Sequence, residues 1–255
     1  MAELMGKVAV VVGCSAPGGT GWAIAQRLAK EGATVVAAAR SREKLEVLAE
    51  EIGGTAVTCD VAAEDDVVAL ASAVRDRYGA VDIAVNAAGL PVQTSIDDAT
   101  LGDVQSALDV NYIGNVFFIR EMGRIMNDHG SIVLISSSSA QQPVHDFFPY
   151  ACAKAAMDCL VMYAATEYGK RGIRVNSVLP GPIRSDMASE LWAVPGMEEV
   201  FAREVPLGRI GEPADYADVV LWLSGPAFVT GLNIPVSGGN QMTRAPRIDE
   251  MPMPE

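Results

Sequence analysis

Residues 8–30 read VAVVVGCSAPGGTGWAIAQRLAK, a Val-rich run followed by a glycine-rich turn and a segment with helical periodicity. The run Val8 to Val12 is apolar throughout, which is typical of a strand buried on both faces of a parallel sheet. Glycines let the backbone turn tightly, and the start of the following helix offers unpaired N–H groups to a phosphate. This order predicts a dinucleotide site, although an ordinary strand-to-helix turn also favours glycine.

Apolar runs of strand length recur along the chain and alternate with segments of helical period. The predicted strands are Val8–Val12, Thr34–Ala39, Thr55–Cys59, Ile83–Asn86, Ile132–Ser136, Arg174–Leu179 and Asn233–Val236. The predicted helices are Ala23–Lys30, Glu43–Glu51, Glu64–Tyr78, Val104–Met126, Cys152–Tyr168 and Pro213–Leu223. We therefore predict an α/β fold, a doubly wound (Rossmann) seven-stranded parallel sheet flanked by helices on both faces in a single domain.

The composition restricts the class of protein. The chain has 255 residues and a net charge of −13, and such an acidic balance argues against a nucleic-acid partner. Its apolar runs are shorter than the roughly 20 residues that a membrane helix needs, and its start lacks a basic leader, so we expect a cytoplasmic protein without a membrane partner. No metal site is predicted, because the cysteines lack C-x-x-C spacing and there are only two histidines.

The domain is predicted to cover residues 1–240, because no linker or change of composition interrupts the alternating pattern before that point. The sequence from residue 243 onward, TRAPRIDEMPMPE, is rich in proline, has mixed charge and shows no periodicity. Residues 241–255 are therefore predicted to form an irregular C-terminal tail.

The end of the second predicted strand bears on the choice of cofactor. Arg40 lies about 20 residues after Gly21, where such folds carry a carboxylate for a ribose 2′-OH or an arginine for a 2′-phosphate. The run contains no carboxylate there, so NADP(H) is preferred; NAD(H) stays possible, because Arg40 and Arg42 could simply be solvated. Asp60, after the third strand, is placed either to meet the adenine amino group or to cap the next helix.

Tyr150-Ala-Cys-Ala-Lys154 places a tyrosine and a lysine on the same face of a predicted helix. A tyrosine has an ordinary pKa near 10 and is a poor base at neutral pH, whereas a nearby ammonium lowers that pKa. Tyr150 is therefore predicted to donate and accept a proton, with Lys154 as its electrostatic partner. Since the Y-x-x-x-K spacing is common on helices, the interpretation depends on the surrounding motifs.

Those motifs follow one another in an order that resembles the short-chain dehydrogenase/reductase family, from Lys7 to Gly239. They are the glycine loop, Asn86-Ala-Ala-Gly89, Asn111 in DVNYIG, the serine run 136–139, YACAK, Pro180-Gly181, PLGRIGEP and TGLNIPVSGG. The resemblance implies an NAD(P)-dependent enzyme acting on CH–OH and C=O groups, of an NADP-preferring subgroup.

The resemblance implies roles at matching positions. Tyr150 is expected to be the acid/base, Lys154 to hold the nicotinamide ribose, Ser137 to orient the substrate and Asn111 to hold a water of the proton relay. Ser136, Ser138 and Ser139 are left to satisfy backbone groups. The cofactor is expected to contact Gly13, Ser15, Gly19, Thr20, Gly21, Arg40, Asp60, Val61, Asn86, Ala87, Gly89, Tyr150, Lys154, Pro180, Gly181, Ile183 and Ser185, although Ala87 and Ala88 could be purely structural.

Two departures from the family pattern bear on the site. The glycine loop is two residues longer than the usual Gly-x-x-x-Gly-x-Gly, and Val12 replaces a threonine. The contacts of individual loop residues are therefore not set by the resemblance. Val-Ser-Gly-Gly at 236–239 replaces Val-Asp-Gly-Gly, which indicates a local structural change.

The implied reaction transfers a hydride between NADP(H) and a secondary alcohol/ketone. The segments 90–100, 138–149 and the substrate loop 186–207 are largely apolar, which favours an apolar or aromatic substrate unless their aromatic residues only pack as a lid. His145 and Asp146 are expected at the surface, although they could contact a polar substituent. The alternatives are an NAD-linked dehydrogenase and a catalytically silent regulatory protein that binds the cofactor.

The resemblance also implies an assembly. We expect a homotetramer in which the segments 104–126 and 152–168 form a four-helix dimer interface and the region of the last strand forms a second interface.

Overall fold

A computed structural model of the chain describes residues 4–252, so residues 1–3 of the predicted domain and 253–255 of the predicted tail lie outside it. Within residues 4–252, seven strands form one parallel sheet in the order β3-β2-β1-β4-β5-β6-β7. The strands are β1 Val8–Val12, β2 Thr34–Ala39, β3 Thr55–Thr58, β4 Val81–Asn86, β5 Met126–Ile135, β6 Arg174–Pro180 and β7 Asn233–Val236. The helices are α1 Thr20–Lys30, α2 Arg42–Ile52, α3 Glu64–Tyr78, α4 Leu101–Leu108, α5 Gly114–Ile125, α6 Phe148–Tyr168, α7 Ser189–Trp192, α8 Met197–Arg203 and α9 Pro213–Ser224. The predicted fold class is confirmed.

The valines of β1 show how the sequence specifies the layers. Val11 packs in a core shared with α1, α2 and α9, whereas Val10 and Val12 pack in a second core with α3, α5 and α6. All three side chains are almost completely buried, and each buried valine contributes about 1.5–3 kcal/mol relative to exposure. Alternate positions of one apolar strand thus hold a helical layer on each face of the sheet.

The predicted helix Val104–Met126 is wrong as a single element. It is divided into α4 and α5 by a π-helical turn over Asp109–Ile113. Asn111 lies in this turn and donates from Nδ2 to the carbonyls of Ala107 and Leu90, both at 2.9 Å. At Gly114, a Cβ would lie 2.7 Å from the carbonyl oxygen of Val61, so the turn packs closely on the neighbouring loop.

Other boundaries differ by a few residues. Met126 starts β5 and pairs with Val81, so this strand is longer than predicted, whereas Ser136 lies just beyond its end. Helix α6 begins at Phe148, one turn before the predicted start, with Pro149 in its first turn, where a missing N–H costs nothing.

The substrate loop, residues 186–207, is called the lid segment from here on. It contains α7 and α8 and has a small core of its own. Trp192 and Phe201 meet edge to face at 5.3 Å, next to the buried Met197. The C-terminal tail joins this structure, since Met251 packs against the same cluster and Arg244 pairs with Glu204 at 2.9 Å. The aromatic residues of the lid segment therefore pack against one another, which agrees with the alternative prediction that they only pack as a lid.

None of the helices in the described part of the chain has the length and apolar character needed to cross a membrane.

Candidate active site

A cleft of about 440 Å³ opens at the carboxyl ends of the strands. The strand order reverses between β1 and β4, and such a switch point forms a crevice in doubly wound sheets. The predicted site residues that line the cleft are Gly13, Ser15, Gly19, Thr20, Gly21, Arg40, Asp60, Val61, Ala87, Gly89, Ser137, Tyr150, Lys154, Pro180, Gly181, Ile183 and Ser185. The structure therefore brings together most of the predicted set, and leaves Asn86 and Asn111 beneath the cleft wall.

The glycine loop makes close backbone approaches that only glycine permits. Gly13 has a φ of +91°, and a Cβ there would lie 2.5 Å from the Ala88 nitrogen. A Cβ on Gly21 would lie 2.4 Å from the Gly13 carbonyl oxygen. These contacts close the loop against the neighbouring strand end and bring the start of α1 to the cleft.

The loop absorbs its extra length in a β-turn from Ala16 to Gly19. The Gly19 N–H donates to the Ala16 carbonyl at 2.8 Å, Pro17 takes the second position, and Gly18 takes the third with a φ of +74°. Proline followed by a left-handed glycine is typical of a type II turn. The turn tip is exposed and does not line the cleft, so the extra residues project away from it.

The start of α1 is suited to an anion. Its N-cap is Gly19, which offers no side-chain cap, and its first turn contains no acidic residue. The N–H groups of the first turn are therefore open to a ligand, and the helix dipole favours negative charge there. Together with the close glycine backbone, this cradle fits the pyrophosphate of a dinucleotide.

Arg40 and Asp60 flank the cleft beyond this cradle. Arg40 is exposed and lines the cleft, whereas Arg42 lies on α2 and pairs with Glu46 at 2.8 Å. Asp60 accepts from the Ala62 N–H at 3.0 Å, and the N-cap of α3 is Ala63. A helix cap at Asp60, one of its two predicted roles, is thus wrong.

Asn86 and Asn111 lie in a buried amide network below the cleft. Asn86 donates to the Asn115 side chain at 2.9 Å and accepts from the Ala88 N–H at 3.0 Å. Asn111 accepts from the Leu90 N–H at 3.1 Å, and its own carbonyl accepts from Asn115 at 3.0 Å. Sequence reasoning missed Asn115; its signal was the spacing of four after Asn111.

Tyr150 and Lys154 lie on the buried face of α6, 7% and 2% exposed. The Lys154 Nζ donates to the Ile135 carbonyl at 2.8 Å, at the end of β5, and lies 5.6 Å from the centre of the Tyr150 ring. Phe147 packs on Tyr150 with ring centres 4.9 Å apart. The lysine is thus held between a strand end and the tyrosine.

The serine run differs from one position to the next. Ser137 accepts from the N–H and the hydroxyl of Ser139, at 3.2 and 2.9 Å, so its own proton is left for the Tyr150 hydroxyl or for a ligand. The hydroxyl of Ser136 is buried without a hydrogen bond of good geometry, but it lies near enough to the Asp158 carboxyl to lower the pKa of that group.

The pKa values of the pair contradict the expected effect of lysine on tyrosine. Burial raises the pKa of Tyr150 to about 12, against the opposing effect of the Ser137 hydroxyl. Burial also lowers the pKa of Lys154 to about 8, while the Asp158 carboxylate opposes that change. The prediction of a lowered tyrosine pKa is wrong for this structure, because burial of the phenol and the Asp158 carboxylate both raise that pKa.

The predicted substrate segments contribute unequally. The apolar Leu90, Pro91 and Met187 line the cleft, together with the charged Asp186. His145 and Asp146 pair with each other at 2.9 Å in an exposed turn and do not line it.

Comparisons with known proteins agree with this architecture. The family model described as enoyl-(acyl carrier protein) reductase matches residues 13–241. The 3beta-hydroxysteroid dehydrogenase 1 of Eggerthella lenta is 36% identical over 250 residues, covering 93% of this chain and 94% of that protein.

Two solved structures match nearly the full length. A short-chain type dehydrogenase/reductase from Mycobacterium ulcerans superposes with a TM-score of 0.91 at 29% identity, covering 97% of this chain and 94% of that one. A variant of actinorhodin polyketide ketoreductase with NADPH gives a TM-score of 0.85 at 31% identity, covering 92% and 97%. The chain therefore belongs to the short-chain dehydrogenase/reductase family, the NAD(P)-dependent oxidoreductases that act on CH–OH and C=O groups.

Proposed function

We propose that the chain interconverts an apolar or aromatic ketone and its secondary alcohol, with NADP(H) as the preferred cofactor. The observation that carries the proposal is that Ser137, Tyr150 and Lys154 line the same cleft as the glycine loop and Arg40. One end of the cleft thus offers proton donors to a carbonyl oxygen, and the other offers an anion cradle. Hydride exchange at a carbonyl carbon requires both.

The residues of the cleft would hold the cofactor in segments. Gly13, Ser15, Gly19, Thr20 and Gly21 would hold the pyrophosphate, Asp60 and Val61 the adenine, and Ala87, Gly89 and Lys154 the nicotinamide ribose, with Asn86 fixing that wall from below. Pro180, Gly181, Ile183 and Ser185 would hold the carboxamide. Bound in this way, the nicotinamide would supply or accept the hydride.

The proton chemistry belongs to the chain itself. In the direction of reduction, the Tyr150 hydroxyl donates its proton to the substrate oxygen, and the free Ser137 proton makes a second hydrogen bond to the same oxygen. A pKa of about 12 keeps Tyr150 protonated at neutral pH, which suits a proton donor. Lys154 stabilises the phenolate that forms, and Asn111 would hold a water of the proton relay.

The test of this proposal is a nicotinamide absorbance assay with a panel of aromatic, steroid and aliphatic ketones. We expect turnover of apolar ketones, and a loss of about 10³-fold in the Tyr150→Phe variant with cofactor binding unchanged. Near wild-type turnover in that variant would exclude the proposed role of Tyr150. Tight NADPH binding without turnover of any substrate would favour the catalytically silent regulatory protein instead.

The preference for NADP(H) rests on Arg40. Among residues 4–252 this exposed guanidinium forms no ion pair, so it is available to a 2′-phosphate, which an arginine binds through two parallel hydrogen bonds. In the Arg40→Asp variant we expect the ratio of NADPH to NADH affinity to fall by about 10–100-fold. Arg42→Asp is the matched control, because Arg42 already pairs with Glu46. Equal effects of both substitutions would argue for an NAD-linked dehydrogenase.

An apolar substrate is supported by the wall that Leu90, Pro91 and Met187 form at the substrate end of the cleft. The Met187 Cε would lie 3.6 Å from a Cβ on Gly89, so the lid segment reaches across the cleft near Lys154. The similar proteins include a steroid dehydrogenase and a polyketide ketoreductase, which supports the same class of substrate.

We also propose that the protein is a cytoplasmic homotetramer without a nucleic-acid partner, and that its domain ends at residue 240. Leu101, Met162 and Tyr163 are exposed on the α4 and α6 surface, and Phe228 and Leu232 are exposed before β7. These apolar side chains support the two expected interfaces. Light scattering on the purified protein should give the mass of four chains, and a mass of one chain would exclude the assembly.

A further inference from the structure

The described residues 4–252 contain three charged side chains that are less than one tenth exposed: Glu121, Lys154 and Asp158. Glu121 has two cationic partners, Arg120 at 2.6 Å and Arg124 at 2.7 Å. Neither Lys154 nor Asp158 has an oppositely charged group within 4.0 Å among the described residues. They lie one turn apart on α6, so each is the nearest charge that can compensate the other.

The other contacts of the Asp158 carboxylate are the neutral hydroxyls of Ser136 and Ser177, which lower its pKa but do not offset the effect of burial. Its Oδ1 accepts from the Ser177 hydroxyl at 3.1 Å, but the same hydroxyl lies 2.7 Å from the Asn233 Oδ1. A serine has one proton, and two acceptors compete for it. The Asn233 Nδ2 donates to the Asp158 backbone carbonyl at 3.2 Å, which keeps its oxygen turned toward Ser177. A buried carboxylate with so few donors is costly to retain.

We propose that Asp158 is a positioning residue of the active site, whose carboxylate keeps Lys154 in its charged form inside the dry interior. The inference rests on the proposed roles of Tyr150 and Lys154. Its physical basis is that a carboxylate one helical turn away acts strongly on an ammonium when little water screens the two. Without it, the buried lysine loses its proton near neutral pH and can no longer stabilise the Tyr150 phenolate.

The titration of these groups agrees with the geometry. Burial lowers the pKa of Lys154 to about 8, and Asp158 is the group that opposes this change. Burial raises the pKa of Asp158, and the Lys154 ammonium is the charge that opposes that change. The groups that face Asp158 from the other elements are uncharged: Ser136 after β5, Ser177 on β6 and Asn233 on β7. Along α6, the Asp158 carboxylate acts on Lys154 and also raises the pKa of Tyr150, so the coupling joins these three groups.

The test measures the pKa of Lys154 directly, in cofactor-free protein labelled with ¹³C at the lysine Cε. The other lysines, Lys7, Lys30, Lys44 and Lys170, are exposed, whereas Lys154 is buried, and the signal of Lys154 is assigned by its absence from the Lys154→Met variant. In the Asp158→Asn variant we expect the pKa of Lys154 to fall by about one pH unit or more. The alkaline limb of kcat/KM for ketone reduction should move down by the same amount.

Ser177→Ala is the matched control, because it removes a neutral contact of Asp158 and leaves both charges in place. We expect the pKa of Lys154 to stay within about 0.3 in this variant. A purely structural role of Asp158 would change the midpoint of urea unfolding and leave the pKa of Lys154 where it is. An unchanged pKa in Asp158→Asn would overturn the proposal, whatever happens to turnover.

A reciprocal measurement keeps the proposal testable if Asp158→Asn does not fold. Coupling between two sites acts equally in both directions, so Lys154→Met should raise the pKa of Asp158, measured by carboxyl ¹³C NMR. An unchanged pKa of Asp158 in Lys154→Met would also overturn the proposal. Neither NMR experiment involves substrate, so a failure of the proposed reaction would be seen separately, in the turnover assay.

Discussion

Two buried carboxylates, Glu121 on α5 and Asp158 on α6, are 6% and 7% exposed but lie in opposite electrostatic surroundings. Burial alone would raise the pKa of Glu121, but hydrogen bonds from Arg120 and Arg124 hold it below its ordinary value. At Asp158 the effect of burial prevails, and its pKa is raised. Equal burial thus gives one carboxylate that stabilises the fold and one that costs stability. Asp158 lies one helical turn from Lys154, whose charged form we propose that it stabilises.

The largest effect is expected from removing the cation beside Asp158. Lys154→Met should lower turnover by about 10³-fold, since neither the Tyr150 phenolate nor the cofactor ribose keeps its partner. Lys170→Met is the matched control, because Lys170 is an exposed lysine just after α6, and this variant should keep wild-type turnover. A loss below about 10-fold in Lys154→Met would show that the ammonium is dispensable.

The next effect is on stability and is specific to Glu121. Glu121→Gln should lower the free energy of unfolding at pH 7 by roughly 1 kcal/mol, because both arginines lose a charged acceptor but are themselves partly exposed. Turnover should stay within about twofold of the wild type, since Glu121 does not line the cleft. Urea unfolding measures the change, with Glu199→Gln as the control at an exposed carboxylate. Equal stability of both variants would contradict the comparison.

The two carboxylates should also give opposite pH dependence. The folded pKa of Glu121 is lowered, so its contribution to stability is present above its ordinary pKa of about 4.5 and is lost as pH falls through the folded pKa. The folded pKa of Asp158 is raised, so its contribution is present at acid pH and is lost as pH rises through the folded pKa.

Urea unfolding of Glu121→Gln and Asp158→Asn between about pH 4 and pH 7 checks this opposite pH dependence. The deficit of Glu121→Gln should shrink on acidification. Asp158→Asn should be at least as stable as the wild type at pH 7, since an amide can donate to Ser177 and free its hydroxyl for Asn233. A large loss of stability at pH 7 in Asp158→Asn would mean that this carboxylate supports the fold.

The smallest effect concerns the hydroxyl beside Asp158. Ser177→Ala should change the free energy of unfolding by about 1 kcal/mol or less, because the hydroxyl serves two acceptors with one proton. Turnover should be unchanged within about twofold. A loss as large as that of Lys154→Met would show that the hydroxyl itself takes part in the chemistry.

What the sequence predicts well is set by local signals. The valine run of β1, the glycines after it and the spacing of Tyr150 and Lys154 follow from backbone sterics and helical period, and the fold class they indicate is confirmed. The site residues that depend on these signals lie together in the cleft. Their roles remain predictions.

What the sequence does not predict depends on tertiary contacts. Met126 follows a helical segment, yet it begins a strand because it pairs with Val81. The π-helical turn at Asn111 depends on its contact with Leu90, which is distant in sequence. Asp158 reads as a polar residue of a helix, although it continues the spacing of four from Tyr150 through Lys154. The raised pKa of Tyr150 requires knowledge of burial, which the spacing alone does not contain.

The Ala16 to Gly19 turn has a consequence for how related sequences diverge. Its exposed tip, Pro17-Gly18, can gain or lose residues while Gly13 and Gly21 keep their close contacts. We therefore expect an insertion at this point to be close to neutral for the fold, and loop length here to vary among related sequences. A search pattern with a fixed spacing between glycines would pass over sequences such as this one.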